Sequence, residues 1–220
     1  MKSFRNRIEA ARLLADELVK KEYPDPVVLA LPRGGVPIGL EVARRLKAPL
    51  DLIMVRKIGV PYQPELAAAA IVNGDQPELV INETIVARAG LDKSEIDRLA
   101  DVQLAEIKRR RGIYLKDRAP VSVEGRTAIV VDDGIATGAT VRASLKAVRR
   151  RNPAKLVLAV PVASADTLEL LRAEVDDLVC IKTPEPFYAI GAHYLDFSQV
   201  PDEEVVRLLN EADQIFASSE

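Results

Sequence analysis

Two adjacent acids and a loop of small residues follow a short apolar run in the middle of the chain. The run Ile129–Val131 is β-branched and predicts a buried strand, after which come Asp132, Asp133 and the segment Gly134–Thr140. Backbone N–H groups of such a loop, with the positive end of a following helix, bind a phosphate dianion. Because two carboxylates would repel that phosphate, we interpret them as partners of vicinal ribose hydroxyls or a hydrated cation. The alternative is an ordinary strand–turn–helix connection with solvated acids.

Two further strand ends carry cations. Arg33 stands beside Gly34 and Gly35, so a guanidinium that binds phosphate oxygens would lie next to backbone that a ligand can approach closely. The spacing is not that of a dinucleotide fingerprint, and the alternative is a turn with a surface arginine. After the next predicted strand come Arg56 and Lys57, of which we assign Lys57 to the same anion, with a solvated pair at the sheet edge as the alternative.

Apolar periodicity predicts an alternation of strands and helices that would bring these strand ends together. Wholly apolar strands alternating with amphipathic helices indicate a parallel sheet covered on both faces, with ligands at the carboxyl ends of its strands. We expect Gly112 to end the long helix and a turn at Asn73-Gly74-Asp75. The predicted strands are Val27–Leu31, Asp51–Val55, Leu66–Val72, Leu79–Ile81, Thr127–Val131, Leu156–Val160 and Leu178–Lys182. The predicted helices are Ile8–Lys21, Val36–Leu46, Thr84–Arg111, Ala139–Arg151, Asp166–Ala173 and a last helix from about Asp202.

The predicted fold class is therefore α/β, a Rossmann-like parallel sheet flanked by helices. We expect one domain over residues 1–220, with a helical insertion at about 84–118 and a small C-terminal hood at about 183–220. The net charge of −2, from 31 basic and 33 acidic residues, argues against a nucleic-acid partner. No run approaches transmembrane length, so no membrane partner is expected, and the single cysteine, Cys180, suits a reducing cytoplasm.

The stretch from Ile129 to Thr140 resembles the phosphoribosyl pyrophosphate signature of type I phosphoribosyltransferases. That signature is an apolar strand, two acids, two variable residues and Ala-Thr-Gly-x-Thr. Over the whole chain, the sequence is similar to a bacterial-type subgroup of this family. The motifs that carry this similarity are Leu-Pro-Arg-Gly-Gly-Val, Val-Arg-Lys-Ile-Gly, Val-Asp-Asp-Gly-Ile-Ala-Thr-Gly and Gly-Ala-His-Tyr-Leu-Asp-Phe.

The resemblance implies a Mg²⁺-dependent pentosyltransferase that displaces pyrophosphate from C1 of phosphoribosyl pyrophosphate with a nitrogen nucleophile. Asp132 and Asp133 would bind the ribose hydroxyls, directly or through water on Mg²⁺, and would be catalytic together with Arg33. The pyrophosphate would be bound by Arg33, Gly34, Gly35 and Lys57, in a turn that often holds a non-proline cis peptide. The ribose 5-phosphate would be bound by Asp132, Asp133, Gly134, Ala136, Thr137, Gly138, Ala139 and Thr140. The metal would be held mainly by substrate oxygens and water.

The acceptor stays open. Hypoxanthine–guanine enzymes usually carry an aspartate where this chain has Ala136, which argues against 6-oxopurine salvage. Phe187 or Tyr188 of the hood would stack on a flat acceptor ring, or else simply pack the hood. His193, the only histidine, is expected to pack rather than catalyse.

The basic run Lys108–Arg111 has three interpretations: closure over the pyrophosphate, complementing the helix dipole, or a homodimer contact. Two other functions remain as alternatives. One is a non-catalytic regulator that senses phosphoribosyl pyrophosphate, and the other is a sugar-phosphate hydrolase or phosphorylase.

Overall fold

The computed structural model describes residues 3–73, 77–116 and 118–217. The strands are β1 Pro26–Ala30, β2 Leu50–Leu52, β3 Met54–Val60, β4 Gln63–Asn73, β5 Pro77–Ile81, β6 Thr127–Val131, β7 Lys155–Val162 and β8 Asp177–Lys182. The helices are α1 Arg7–Val19, α2 Gly35–Leu46, α3 Glu83–Ala89, α4 Lys93–Tyr114, α5 Ala139–Arg149, α6 Ala165–Arg172 and α7 Asp202–Ala217.

A five-stranded parallel sheet in the order β2-β1-β6-β7-β8 forms the centre of the molecule. Alternate residues of β1 and β6 enter two separate apolar cores, as Val28 and Ile129 face one side while Leu29 and Val130 face the other. Helices α1, α2 and α7 cover the first side, and α5 and α6 cover the second. The predicted α/β fold class is confirmed, because strands that are apolar on both faces require helices on both faces.

A second, three-stranded antiparallel sheet in the order β3-β4-β5 follows β2. The prediction of one strand over Asp51–Val55 is wrong, since β2 ends at Leu52 in the parallel sheet and β3 begins at Met54 in the antiparallel one. Apolar residues continue across this junction and periodicity alone cannot mark it. Gly74 and Asp75 of the predicted turn lie outside the described residues.

The predicted helix Thr84–Arg111 is two helices. Gly90 adopts a left-handed conformation with φ of 66° after α3, and Asp92 starts α4 with a capping box in which Glu95 is the partner. The prediction that Gly112 ends the helix is also wrong, because α4 continues through it to Tyr114. Burial of Ile107 and Tyr114 holds this last turn against the rest of the molecule.

The segment after β8 folds back over the carboxyl end of the sheet and includes one turn of 3₁₀ helix, Ile190–His193. The first described residues pair with it. The Phe4 amide donates to the carbonyl of His193 at 2.8 Å, and the Leu195 amide donates to the carbonyl of Phe4 at 2.8 Å. Among the helices that the structure describes, none combines the length and the apolar character that crossing a membrane requires.

Candidate active site

The loop between β6 and α5 is held by hydrogen bonds to neighbouring elements on one side and is exposed to solvent on the other. The amide of Ile135 donates to the carbonyl of Val162 at 2.9 Å, and the hydroxyl of Thr167 on α6 donates to the carbonyl of Ala136 at 2.7 Å. Gly138 turns the chain into α5 at a φ of 73°. The residues of the loop and first helical turn that are exposed to solvent are Ala136, Thr137, Ala139 and Thr140.

The Arg33 turn lies directly against the two acids. A Cβ atom on Gly34 would stand 2.0 Å from Oδ2 of Asp133, and one on Gly35 would stand 2.9 Å from the carbonyl oxygen of Val131. Only glycine allows this approach, and the Pro32–Arg33 peptide bond in the turn is cis. The structure therefore brings two of the sequence-predicted turns into contact.

The two acids differ in their surroundings. Asp133 is 8% exposed, and its Oδ2 accepts a hydrogen bond at 2.8 Å from Nε of Arg7 on α1. Asp132 is only partly buried, and its Oδ1 accepts from the amide of Asp133 at 2.8 Å. Burial and, secondarily, the neighbouring charge of Asp133 raise the pKa of Asp132 well above its ordinary value. Burial also raises the pKa of Asp133, with Arg7 opposing that shift.

Arg33 meets an acid that the sequence did not predict. Its guanidinium lies 3.4 Å from Oδ1 of Asp202 at the start of α7, and the same oxygen accepts a hydrogen bond at 2.6 Å from the hydroxyl of Tyr114. The hydrogen bond from Tyr114 lowers the pKa of Asp202, and burial raises the pKa of Tyr114 to about 12. Asp202 thus connects the end of α4 to the Arg33 turn.

Lys57 does not follow a strand of the parallel sheet as predicted. It lies within β3 of the antiparallel sheet, because that sheet begins at Met54. There it lines a cavity of about 400 Å³ between this sheet and α5, together with Ala139, Thr140 and Lys146. Lys57 therefore lies beside the N-terminal end of α5.

Arg109 and Arg110 of the predicted basic run both form ion pairs with Glu106, each at 2.8 Å. Glu106 also lies 3.3 Å from Arg56. The hydrogen bonds from Arg109 and Arg110 lower the pKa of Glu106 to about 2. The helix that carries the predicted run, α4, reaches the site through Tyr114, whose hydroxyl donates to Asp202.

The predicted hood touches the loop between β6 and α5 through Ile190. A Cβ on Gly134 of that loop would stand 2.6 Å from Cγ2 of Ile190. Phe187 is half-buried, with its ring centroid 5.3 Å from that of His193, whereas Tyr188 is 82% exposed. Packing accounts for Phe187, and Tyr188 has a ring free to meet a ligand. No described residue bonds to the buried Nε2 of His193.

Four residues that hold the site together escaped the sequence-based assignment of site residues: Arg7, Thr167, Tyr194 and Asp202. Tyr194 donates from its hydroxyl to the backbone carbonyl of Asp133 at 2.5 Å. Each of the four comes from a different part of the chain and no local motif connects it to the acids. Tyr194 does belong to the Gly-Ala-His-Tyr-Leu-Asp-Phe motif, which was the one available signal.

Within the described residues, no three acid, histidine or cysteine side chains converge to form a metal cage. Two adjacent carboxylates beside an open loop do fit a hard cation that keeps most of its water or substrate ligands, as Mg²⁺ does.

Comparison with known proteins identifies the family. A sequence model of the phosphoribosyl transferase domain matches residues 3–196. The chain belongs to the phosphoribosyl transferase domain family. The crystal structure of TT1426 from Thermus thermophilus is similar to it at 42% sequence identity and a TM-score of 0.85, covering 96% of this chain and 99% of that one.

Two curated relatives from Mycobacterium tuberculosis, strains H37Rv and CDC 1551, are provisionally described as phosphoribosyl transferases. Each is 43% identical over 219 residues, which is all of this chain but 49% of the relative. The chain thus spans about half the length of the curated relatives it matches.

Proposed function

We propose that this phosphoribosyl transferase domain is a Mg²⁺-dependent pentosyltransferase. It binds phosphoribosyl pyrophosphate and transfers ribose 5-phosphate to a nitrogen acceptor with release of pyrophosphate. The observation that carries the proposal is the contact between the open phosphate loop after β6 and the Arg33 turn, with the two acids between them. This contact supports the proposal because the loop and the Arg33 turn, which could each bind a phosphate group, lie on either side of the two carboxylates.

The site residues take their roles from this arrangement. The amides and hydroxyls in the exposed part of the Gly134–Thr140 loop bind the 5′-phosphate, and the carboxylates of Asp132 and Asp133 face the ribose. Arg33, with the close backbone of Gly34 and Gly35, binds the pyrophosphate. Lys57 is proposed to neutralise phosphate charge from its position beside Ala139 and Thr140.

The chain's own residues contribute geometry and charge rather than a covalent nucleophile. The anchored loop holds the sugar phosphate in one orientation, and Arg33 stabilises the negative charge that develops on the leaving pyrophosphate. Mg²⁺ held by Asp132, Asp133 and substrate oxygens would supply further charge neutralisation.

The acceptor is proposed to be a flat, nucleobase-like ring that contacts the exposed aromatic face of Tyr188 in the hood, beside Phe187, which packs on His193. Ala136 provides no acid at the loop, so we place 6-oxopurines low among the candidates. A homodimer and a cytoplasmic location are further proposals, and light scattering during size-exclusion chromatography tests the first.

The test is pyrophosphate release from phosphoribosyl pyrophosphate and Mg²⁺ over a panel of bases and amines. Release that requires one acceptor supports the transferase. Release without any acceptor assigns a hydrolase, and tight donor binding without turnover on any acceptor assigns a sensor. Asp101→Asn, on the exposed surface of α4, is the control for the charge change in site variants.

A further inference from the structure

The carboxylate of Asp133 is enclosed by three parts of the chain. Arg7 of α1 forms an ion pair with it at 2.8 Å, and the two side chains are only 12% and 11% exposed. Gly34 lies on another side, because its missing Cβ leaves the space that Oδ2 occupies. The hydroxyl of Tyr194 holds the backbone carbonyl of the same residue. Asp133 is therefore fixed in position before any ligand arrives.

Arg7 also contacts the hood through a hydrogen bond and an aromatic ring. Its Nη1 donates to the carbonyl of Ser198 at 2.8 Å, and its guanidinium carbon lies 4.0 Å from the ring centroid of Phe197. Phe197 in turn stacks on Tyr194, with ring centroids 5.0 Å apart. One side chain from the first turn of α1 thus joins the acid after β6 to the segment that covers the proposed acceptor site.

Asp132 has none of these partners. It makes no ion pair within the described residues, and one of its oxygens only accepts from the next backbone amide. Asp132 is also more exposed than Asp133, which is 8% exposed. Because no described cation pairs with Asp132, its carboxylate is the one of the pair that is left to bind a hydroxyl group or a metal ion of a ligand.

We propose that the two acids have different tasks. Asp132 is the acid that contacts the ribose or its metal, whereas Asp133 and Arg7 form a positioning pair that couples the donor loop to the hood. This inference rests on the proposed function and refines it, because both acids were expected to contact the ribose.

The experiment measures the affinity for phosphoribosyl pyrophosphate with Mg²⁺ by calorimetry at one neutral pH. The variants Asp132→Asn and Asp133→Asn are a matched pair, since both replace a carboxylate by an amide at adjacent positions without changing side-chain size. We expect Asp132→Asn to weaken binding about tenfold or more and Asp133→Asn by no more than about threefold, because only the first removes a hydrogen-bonding partner of the ligand. Arg7→Gln removes the cation that holds both Asp133 and the hood, so it should weaken binding about three- to tenfold, and Arg7→Lys should recover part of that loss.

Equal losses in the two aspartate variants, or no recovery of affinity in Arg7→Lys relative to Arg7→Gln, would overturn the inference. If the wild-type protein binds no phosphoribosyl pyrophosphate, the proposed function fails, and the melting temperatures still test the pair. The double variant Arg7→Gln with Asp133→Asn should then be no less stable than the weaker single variant. Additive losses in that cycle would refute the coupling on its own.

Discussion

At the scale of single residues, the site has two unusual features. One is a glycine whose missing side chain makes room for a carboxylate, and the other is a carboxyl group whose charged form is disfavoured by burial. Gly34 makes room for the Asp133 carboxylate, and Asp132 carries a charge beside another charge in a half-buried place. The buried acid weakens the ligand-free protein, which is a usual cost of a preformed site.

Replacement of Gly34 tests the contact between the two turns. Gly34→Ala places a methyl group 2.0 Å from Oδ2 of Asp133, so the turn or the acid must move. Overpacking of this kind costs about 1–3 kcal/mol, and we expect a lower Tm together with donor binding weakened at least about tenfold.

Gly112→Ala is the matched control, because nothing lies within 4 Å of its Cβ position in α4. Alanine in a helix interior should stabilise by up to about 1 kcal/mol. A Gly34→Ala variant that melts and binds like the wild type would contradict the described contact.

The raised pKa of Asp132 predicts how stability depends on pH. In the pH range between its ordinary and its raised pKa, the folded protein binds more protons than the unfolded chain, so stability falls as pH rises through that range. At pH 7 the charge is a net cost, and Asp132→Asn should raise Tm by roughly 2–4 °C for each 1 kcal/mol that it relieves.

Thermal scans from pH 4 to 8 check this sign. The rise should be largest at neutral pH and vanish at the acidic end, and Asp101→Asn should give no such trend. A lower Tm for Asp132→Asn at pH 7 would mean that this acid is structural.

At the scale of elements, α6 supports a loop that belongs to a different strand–helix unit. Thr167 bonds to the carbonyl of Ala136, and its methyl group would meet a Cβ on Gly138 at 2.7 Å. The loop between β6 and α5 is therefore shaped by a helix that follows it in the chain after α5 and β7.

Thr167→Val keeps the shape of this contact and removes its hydroxyl. The hydroxyl donates to Ala136 and accepts from Ser164, and each hydrogen bond contributes about 0.5–1.5 kcal/mol, so we expect a decrease in Tm and donor affinity about three- to tenfold weaker. Thr84→Val on the exposed start of α3 is the control. Calorimetry with phosphoribosyl pyrophosphate measures the difference, and unchanged affinity in Thr167→Val would exclude the supporting role.

Elements with a single strong period were predictable and junctions between sheets were not. Strand Thr127–Val131 matches β6 residue for residue, since burial on both faces demands an unbroken apolar run. The prediction of one strand over Asp51–Val55 was wrong because apolar character does not reveal which of two sheets a residue joins. Of the site, the loop and the Arg33 turn could be predicted from local sequence, whereas Arg7 and Asp202 act across the fold and leave no spacing to detect.

At the scale of the whole molecule, basic and acidic residues are nearly equal in number, and many of the basic side chains are also paired with an acid next to them. Arg149 pairs with Asp176 at 2.8 Å, Arg150 with Glu78 at 2.9 Å, and Arg109 and Arg110 with Glu106. The basic runs that a nucleic-acid-binding regulator would use are therefore largely neutralised by neighbouring acids.

Heparin chromatography tests this consequence. We expect elution without retention at about 50 mM salt, because binding to a polyanion requires several cations that are not already paired. Retention that falls steeply with added salt would instead favour the sensor alternative and a role with RNA or DNA.

The ion pair of Arg7 also bears on the order of folding. It joins residues 126 positions apart, and the hydrogen bond from Arg7 to Ser198 spans 191 positions. The parallel sheet closes a comparable loop when β1 pairs with β6, whereas the contact with Ser198 also requires the segment after β8 to fold back. The sheet can thus form while Arg7 still lacks its contact with the hood. Competence to bind a ligand is then among the last properties the chain acquires.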